Sequence, residues 1–317
     1  MRFALMTEPQ QGLTYDELLA LVHAAEAAGI ESFLRSDHYA SFPGEAGLPT
    51  TDAWATLAGL ARETSRITLG ALVSPVTFRQ PGNVAKLVAT VDEMSGGRVE
   101  VGIGAGWHRR EHEAYGFGFP SLKERYELLE ESLAVIHGLW TEPDGWSYAG
   151  RRVTVLNAQF VTKPARNGRR HPPIILGGEG GPKMARLAAT YADEINIVSA
   201  TPERARNGFA AARAACARIG RDPDALTYSA MTGVLVAETE SELRERVAAQ
   251  LAFTGETDEG DADAWLAERR TRWVMGTPEQ AWERIRELER AGVERIMLQD
   301  FLPRDLDHVA TIGRLIA

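Results

Sequence analysis

Residues 67–107 run strand, turn, helix, turn, strand, glycine-rich turn, and a unit of this kind commits a chain to a parallel sheet. Ile67–Val73 is a short apolar, β-branched run. A helix starts near Pro81, where a missing N–H needs no partner, and Leu87, Val88, Val91 and Met94 recur at helical spacing. Gly96 and Gly97 stop that helix, Arg98–Ile103 is the second strand, and Gly104-Ala105-Gly106-Trp107 closes the unit. The crossover is right-handed by strong preference. Ligands of such sheets lie at the carboxyl ends of the strands, so Val73–Ser74 and Gly104–Trp107 stand where chemistry happens.

The same step is repeated along the chain. Ala28-Gly29-Ile30-Glu31 leads to Asp37, and Ala291-Gly292-Val293-Glu294 leads to Asp300; in both, glycine ends a helix and an acidic residue follows eight positions later. Strands are expected near 2–6, 31–36, 67–73, 98–103, 173–177, 194–198, 226–236 and 294–299. Helices are expected over 14–28, 52–63, 81–95, 121–140, 181–191, 202–219, 239–250 and 278–291. Eight strand–helix pairs in 317 residues read as a single (β/α)8 barrel. Two segments leave this rhythm. A β-hairpin is expected near 143–170 and a polar excursion with a short helix near 252–276, both as insertions able to cover the barrel mouth.

The formal net charge of −9 argues against nucleic acid or an anionic membrane as partner. No apolar run approaches the length of a membrane span. The chain opens directly on the strand Arg2–Met6, with no visible signal peptide, and holds one cysteine, Cys216, which excludes an internal disulfide. These features point to the cytoplasm.

Three constellations carry chemistry. Asp37-His38 follows the second strand, where an imidazole can give or take a proton near neutral pH, with Asp37 placed to fix its tautomer; the plain alternative is a capped turn beside a surface histidine. Gly104–Trp107 lets backbone approach a flat ligand, or else forms a tight turn with a core tryptophan. Gly177-Gly178-Glu179-Gly180-Gly181 leads into a helix whose free N–H groups suit an anion, with Lys183 adding charge; the alternative is a flexible turn. His108-Arg-Arg-Glu111-His112 has the H-x-x-E-H spacing of a zinc site, but it follows a barrel strand directly and meets Tyr115–Gly118 at once, so no metal is assigned and the reading is a solvated charged turn of helix, one that could line the pocket.

Ser36-Asp37-His38-Tyr39, Val73–Pro81, Met94–Arg98, Gly102–Trp107 and Pro173–Gly178 with Gly180-Gly181-Pro182 fall in one order and spacing. Together they resemble the bacterial luciferase-like monooxygenase superfamily over essentially the whole chain, and most of all its coenzyme F-420 oxidoreductases. The resemblance implies hydride transfer between F-420 and a small organic substrate, with His38 facing the reactive ring. It implies a non-proline cis peptide at Leu72–Val73, or nearby at Val73–Ser74, behind that ring. It implies cofactor contacts from Leu72, Val73, Ser74, Gly104, Ala105, Gly106 and Trp107. For the phosphate it implies Gly177, Gly178, Glu179, Gly180 and Gly181, with Ser199, Ala200 and Thr201. Some members carry a catalytic glutamate where this chain has Trp107, which argues against their sugar-phosphate chemistry and leaves an aromatic wall. An FMN-dependent monooxygenase on the same fold is the second reading, and a barrel that binds flavin without catalysis the third. The resemblance also implies a homodimer paired through helices near the second and third strands, for which the small residues of Thr56–Ala61 permit close approach.

Overall fold

The computed structural model of the chain describes residues 1–42, 47–164, 168–254 and 262–317. Among these residues the strands are β1 (Arg2–Thr7), β2 (Ser32–Arg35), β3 (Thr68–Pro75), β4 (Val99–Gly104), β5 (Trp146–Ala149), β6 (Thr154–Ala158), β7 (Ile174–Gly178), β8 (Glu194–Ile197), β9 (Thr227–Val236), β10 (Val274–Gly276) and β11 (Arg295–Asp300). The helices are α1 (Tyr15–Ala27), α2 (Ala53–Glu63), α3 (Pro81–Ser95), α4 (Arg109–Ala114), α5 (Leu122–Thr141), α6 (Pro182–Tyr191), α7 (Pro202–Arg218), α8 (Glu240–Thr254), α9 (Ala262–Arg270), α10 (Pro278–Arg290) and α11 (Leu306–Ile316).

Eight parallel strands run in the order β9-β11-β1-β2-β3-β4-β7-β8, and β8 pairs back onto β9 to close the barrel. All eight expected strands are present. β10 adds a short parallel pairing at the carboxyl end of β9, with Val274 opposite Val234. Side chains alternate as a pleated strand requires. Phe3 and Leu5 join the large core between barrel and helices, while Ala4 and Met6 join Leu34, Leu72, Ile175 and Met297 inside the barrel.

Local chemistry sets the helix starts. Thr14 with Glu17 and Ser121 with Glu124 form capping boxes, and Pro81, Pro182, Pro202 and Pro278 occupy first helical positions. The pairing of helices with strands departs from expectation at the end. α8, α9 and α10 all follow β9, and the helix that completes the eighth unit is α11, which the sequence reading did not count. Leu306, Val309, Ile312 and Leu315 give it an apolar stripe, and Asp305 caps it by accepting from the His308 N–H at 2.9 Å.

The hairpin β5–β6 forms as expected but does not cover the mouth. Glu131 of α5 accepts from the backbone N–H groups of Arg151, Arg152 and Val153 at 2.9, 2.8 and 2.8 Å, and Trp146 packs over Gly138. Those contacts tie the hairpin to the later turns of α5, which runs from the carboxyl end of the barrel toward the amino end. The second excursion does reach the carboxyl end: Trp273 lies against Gly233 of β9 and stacks on Phe301 with ring centroids 5.5 Å apart. Parts of both expected insertions, including Arg166 of the basic loop, lie outside the described residues.

At the amino end the barrel is closed by charge. Arg295 donates to Glu100 at 2.7 and 2.9 Å, to Glu194 at 2.9 Å and to Ser32 at 2.7 Å. Burial, with the Glu100 carboxylate adding to it, pushes the Glu194 carboxyl above its ordinary value even though Arg295 opposes the shift.

Candidate active site

Just past the carboxyl end of β2, Asp37 and His38 engage different partners. Asp37 turns into the protein and is 1% exposed. It accepts from Ser74 Oγ at 2.7 Å and from both terminal nitrogens of Arg79, at 2.5 and 3.2 Å. Arg79 also donates to Asp52 at 2.5 Å and to the Tyr39 hydroxyl at 3.0 Å. Burial lowers the Arg79 guanidinium, but Asp37 and Asp52 overcome it and hold the group well above its ordinary value. Asp37 is therefore not the partner that fixes His38, as the sequence suggested; its charge is committed to Arg79.

The partner of His38 is Glu111, on α4. Glu111 Oε2 lies 2.9 Å from His38 Nδ1, while Oε1 accepts from the Ala40 N–H at 2.9 Å and from the Tyr39 N–H. The Glu111 side chain is 0% exposed. Burial pushes its carboxyl upward, yet His38 and the two backbone N–H groups outweigh that and keep it below its ordinary value. The solvated turn expected at 108–112 holds for the exposed Arg109 and Arg110 and is corrected at its last two residues. Glu111 and His112 are both buried, because α4 folds back over the loop that follows β2. His112 is held separately, donating from Nδ1 to the His108 carbonyl at 2.8 Å and accepting from the Thr77 hydroxyl at 2.6 Å. Among the described residues no group of three or more His, Cys, Asp or Glu side chains is arranged to hold a metal.

His38 sits in a ring of aromatics. Its ring lies 4.4 Å from that of Phe42, 6.1 Å from Trp107 and 6.4 Å from His108, each nearly perpendicular. Trp107 is 63% exposed, so it is a wall of the mouth and not a core residue. On the β1 side a polar chain crosses the mouth. Gln10 and Gln299 both donate to Glu8, at 2.7 and 2.6 Å, and Ser36 donates to Gln10 at 2.6 Å. Sequence reasoning missed Glu8 and Gln10, although their place just after β1 was the available signal.

The third-strand bulge is present. Register slips between Ala71 and Ser74, and the Leu72–Val73 peptide is cis. Leu72 faces the barrel interior, and Val73 and Met231 are the partly buried members of that cluster. A Cβ on Gly104 would meet Val73 Cγ2 at 2.6 Å, and one on Gly177 would meet Cγ1 at 2.7 Å. These two glycines therefore make room for Val73, not directly for a ligand. Ser74 is buried and links the Trp54 indole, which donates to it at 2.9 Å, to Asp37; it is not presented to the mouth. Ala105 and Gly106 are half-buried beside Trp107.

At the fifth barrel strand, Gly177 and Gly178 are half-buried and Glu179 and Gly181 exposed. Gly181 caps α6 without a side chain, which leaves the first-turn N–H groups with no acceptor from the cap. Gly180 has a different role: its φ is +78°, and a Cβ there would meet Ile197 Cδ1 at 2.8 Å and Gly208 Cα at 2.9 Å. Lys183 lies over the Tyr126 ring, 5.6 Å from its centroid. After β8, Ser199 is exposed with φ +47°, whereas Ala200 is buried and gives its N–H to the Met231 carbonyl at 3.0 Å. Thr201 spends its hydroxyl capping α7.

Comparison with known proteins places this geometry. Residues 1–295 match the family model of luciferase-like monooxygenases. The F-420-dependent glucose-6-phosphate dehydrogenase of Amycolatopsis mediterranei is 31% identical over 56% of this chain and 51% of its own, so the chain spans about half the length of that relative. The phthiodiolone/phenolphthiodiolone dimycocerosates ketoreductase of Mycobacterium tuberculosis is 28% identical over 82% of this chain and 64% of its own. Among solved structures, an F-420-dependent secondary alcohol dehydrogenase in complex with an F-420–acetone adduct superposes with a TM-score of 0.83 at 21% identity, covering 99% of this chain and 97% of that one. The F-420-dependent tetrahydromethanopterin reductase of Methanopyrus kandleri gives 0.80 at 20% identity, covering 99% and 97%.

Proposed function

This chain belongs to the luciferase-like monooxygenase family, and from that premise we propose that it is an oxidoreductase moving a hydride between coenzyme F-420 and a small organic substrate. The observation that carries the reading is His38, held by Glu111 at the carboxyl mouth of the barrel, within a ring of aromatics and next to an apolar interior. Relatives named as F-420-dependent dehydrogenases support the choice of cofactor.

The residues fit a flat tricyclic group bearing a phosphate. Val73 and Met231 offer a partly exposed apolar floor, and Gly104 and Gly177 keep Val73 seated. The uncapped start of α6 at Gly181 and the exposed Ser199 suit the anion. When bound, F-420 supplies two-electron hydride chemistry. Hydride delivery to a carbonyl or other polarised double bond leaves an anion that needs one proton, and the reverse reaction releases one; His38 gives or takes it. Trp107, Phe42 and His108 pack against one another beside it and give the substrate an aromatic wall. A wall of rings favours an apolar or aromatic alcohol or carbonyl compound over a sugar phosphate.

We propose further that the protein is a cytoplasmic homodimer. Support for the location is the single, buried thiol of Cys216. No helix among the described residues is long and apolar enough to cross a membrane. Support for the dimer is a groove of about 420 Å³ between α2 and α3, lined by Trp54, Ala55, Ala58, Asn83 and Leu87. Within the Thr56–Ala61 stretch, Gly59 receives the Tyr15 ring of α1, and Ala58 is the small residue that lines the groove.

The test of function is anaerobic mixing of the protein with reduced F-420 and a panel of ketones, aldehydes and conjugated carbonyls. Oxidation of the cofactor matched mole for mole by reduced product is expected. Product that forms only with reduced FMN and oxygen would support the monooxygenase reading instead.

A further inference from the structure

We propose that Glu111 is the positioning residue that sets the tautomer of His38 and so selects Nε2 as its proton-exchanging atom. The catalytic consequence rests on the hydride-transfer reading above; the tautomer is a property of the free protein.

An ionised carboxylate only accepts, and Glu111 is held in that form by His38 and two backbone N–H groups. Its two oxygens are divided: Oε1 serves Tyr39 and Ala40, and Oε2 faces His38 Nδ1 at 2.9 Å. Nδ1 must therefore carry a hydrogen. In the neutral imidazole the lone pair is then on Nε2. With Nδ1 occupied, any proton that His38 exchanges with a substrate passes through Nε2. The other imidazoles do not compete. His108 Nδ1 is 3.7 Å from Glu111, beyond a hydrogen bond, and burial lowers its basicity despite that carboxylate. His112 is engaged by Thr77 and the His108 carbonyl.

The same division predicts what an isosteric change does. In Glu111→Gln the amide has one acceptor oxygen and one donor NH2. The two backbone N–H groups of Tyr39 and Ala40 are fixed donors, so they claim the oxygen. The NH2 then faces His38 Nδ1 and can be satisfied only if Nδ1 accepts. The hydrogen moves to Nε2, and the neutral ring presents a donor to the mouth where it had presented a base. The proton path is lost with hardly any change in shape.

The experiment is ¹⁵N NMR of histidine-labelled protein without cofactor, above the pH at which His38 is protonated, with His38→Asn to assign the signal. Wild type is expected to show hydrogen on Nδ1 and Glu111→Gln hydrogen on Nε2. Turnover in Glu111→Gln should fall about a hundredfold, with F-420 dissociation changed less than threefold. A wild-type ring carrying its hydrogen on Nε2 overturns the proposal, as does an unchanged tautomer in Glu111→Gln. Should that variant not fold, the wild-type spectrum decides alone. If the tautomers behave as expected and wild type shows no F-420-dependent turnover, the functional reading fails and the role of Glu111 in setting the tautomer stands.

Discussion

Asp37 and His38 are consecutive in sequence yet belong to separate networks: Asp37 is buried against Arg79 and Ser74, and His38 faces the mouth with Glu111 behind it. One strand end thus delivers a structural charge and a chemical group in opposite directions.

That division predicts two distinct phenotypes. His38→Ala should lower turnover by about a hundredfold or more while F-420 affinity changes only modestly. Arg79→Leu should act on folding, because it strands the buried Asp37 carboxylate; the loss of one partner of such a pair costs about 3–5 kcal/mol. Steady-state kinetics with a working substrate, set beside denaturant melts of both variants, separates the two. A His38→Ala enzyme that keeps most of its turnover contradicts the assignment.

The phosphate end of the cofactor is best probed at Gly181 and not at Gly180. A side chain at Gly180 would collide with Ile197 and Gly208, so its loss of binding would say nothing about a ligand. A Cβ at Gly181 meets nothing within 4 Å, and its φ of −66° suits any residue. Gly181→Val should lower the melting temperature only slightly, because valine is a poorer N-cap than glycine, and weaken F-420 binding about tenfold, roughly 1.4 kcal/mol. Unchanged binding would move the phosphate elsewhere.

Most of the barrel was legible because its signals are local. β-branched runs, proline at first helical positions and paired caps such as Ser121 with Glu124 mark elements within a few residues. The missed α11 carried the same signals, an Asp305 cap and an apolar stripe, but two helices after β9 had already filled the count of eight. The site was less legible because its decisive contact spans 73 residues, and no local pattern shows that Glu111 turns inward. Asp37 adjoins His38 in sequence, but Arg79 and Ser74, 42 and 37 residues away, claim its carboxylate.

The dimer prediction is tested at the α2–α3 groove. Ala58 is half-buried at its edge, so Ala58→Glu should leave the fold intact and place a charge in the interface. Light scattering at micromolar concentration should report a dimer for wild type and a monomer for the variant. A monomeric wild type contradicts the assembly.

The barrel floor predicts a pH dependence. The folded pKa of Glu194 is raised above its unfolded value, first by burial and then by Glu100. A raised group contributes stability that is complete below the unfolded value, about 4.3, and is lost as pH rises through the folded value. Glu194→Gln removes that loss and keeps an acceptor for Arg295. The variant should therefore gain on wild type as pH rises from about 4 toward 8, read as the difference between their melting temperatures. A constant or shrinking difference contradicts the sign.

A barrel built for F-420 holds that cofactor in preference to FMN. Titration of the purified protein with F-420 and with FMN, side by side and in both redox states, tests it most directly. F-420 is expected to bind at least about tenfold more tightly, a difference of about 1.4 kcal/mol. Equal or reversed affinities would contradict it and favour the FMN-dependent reading.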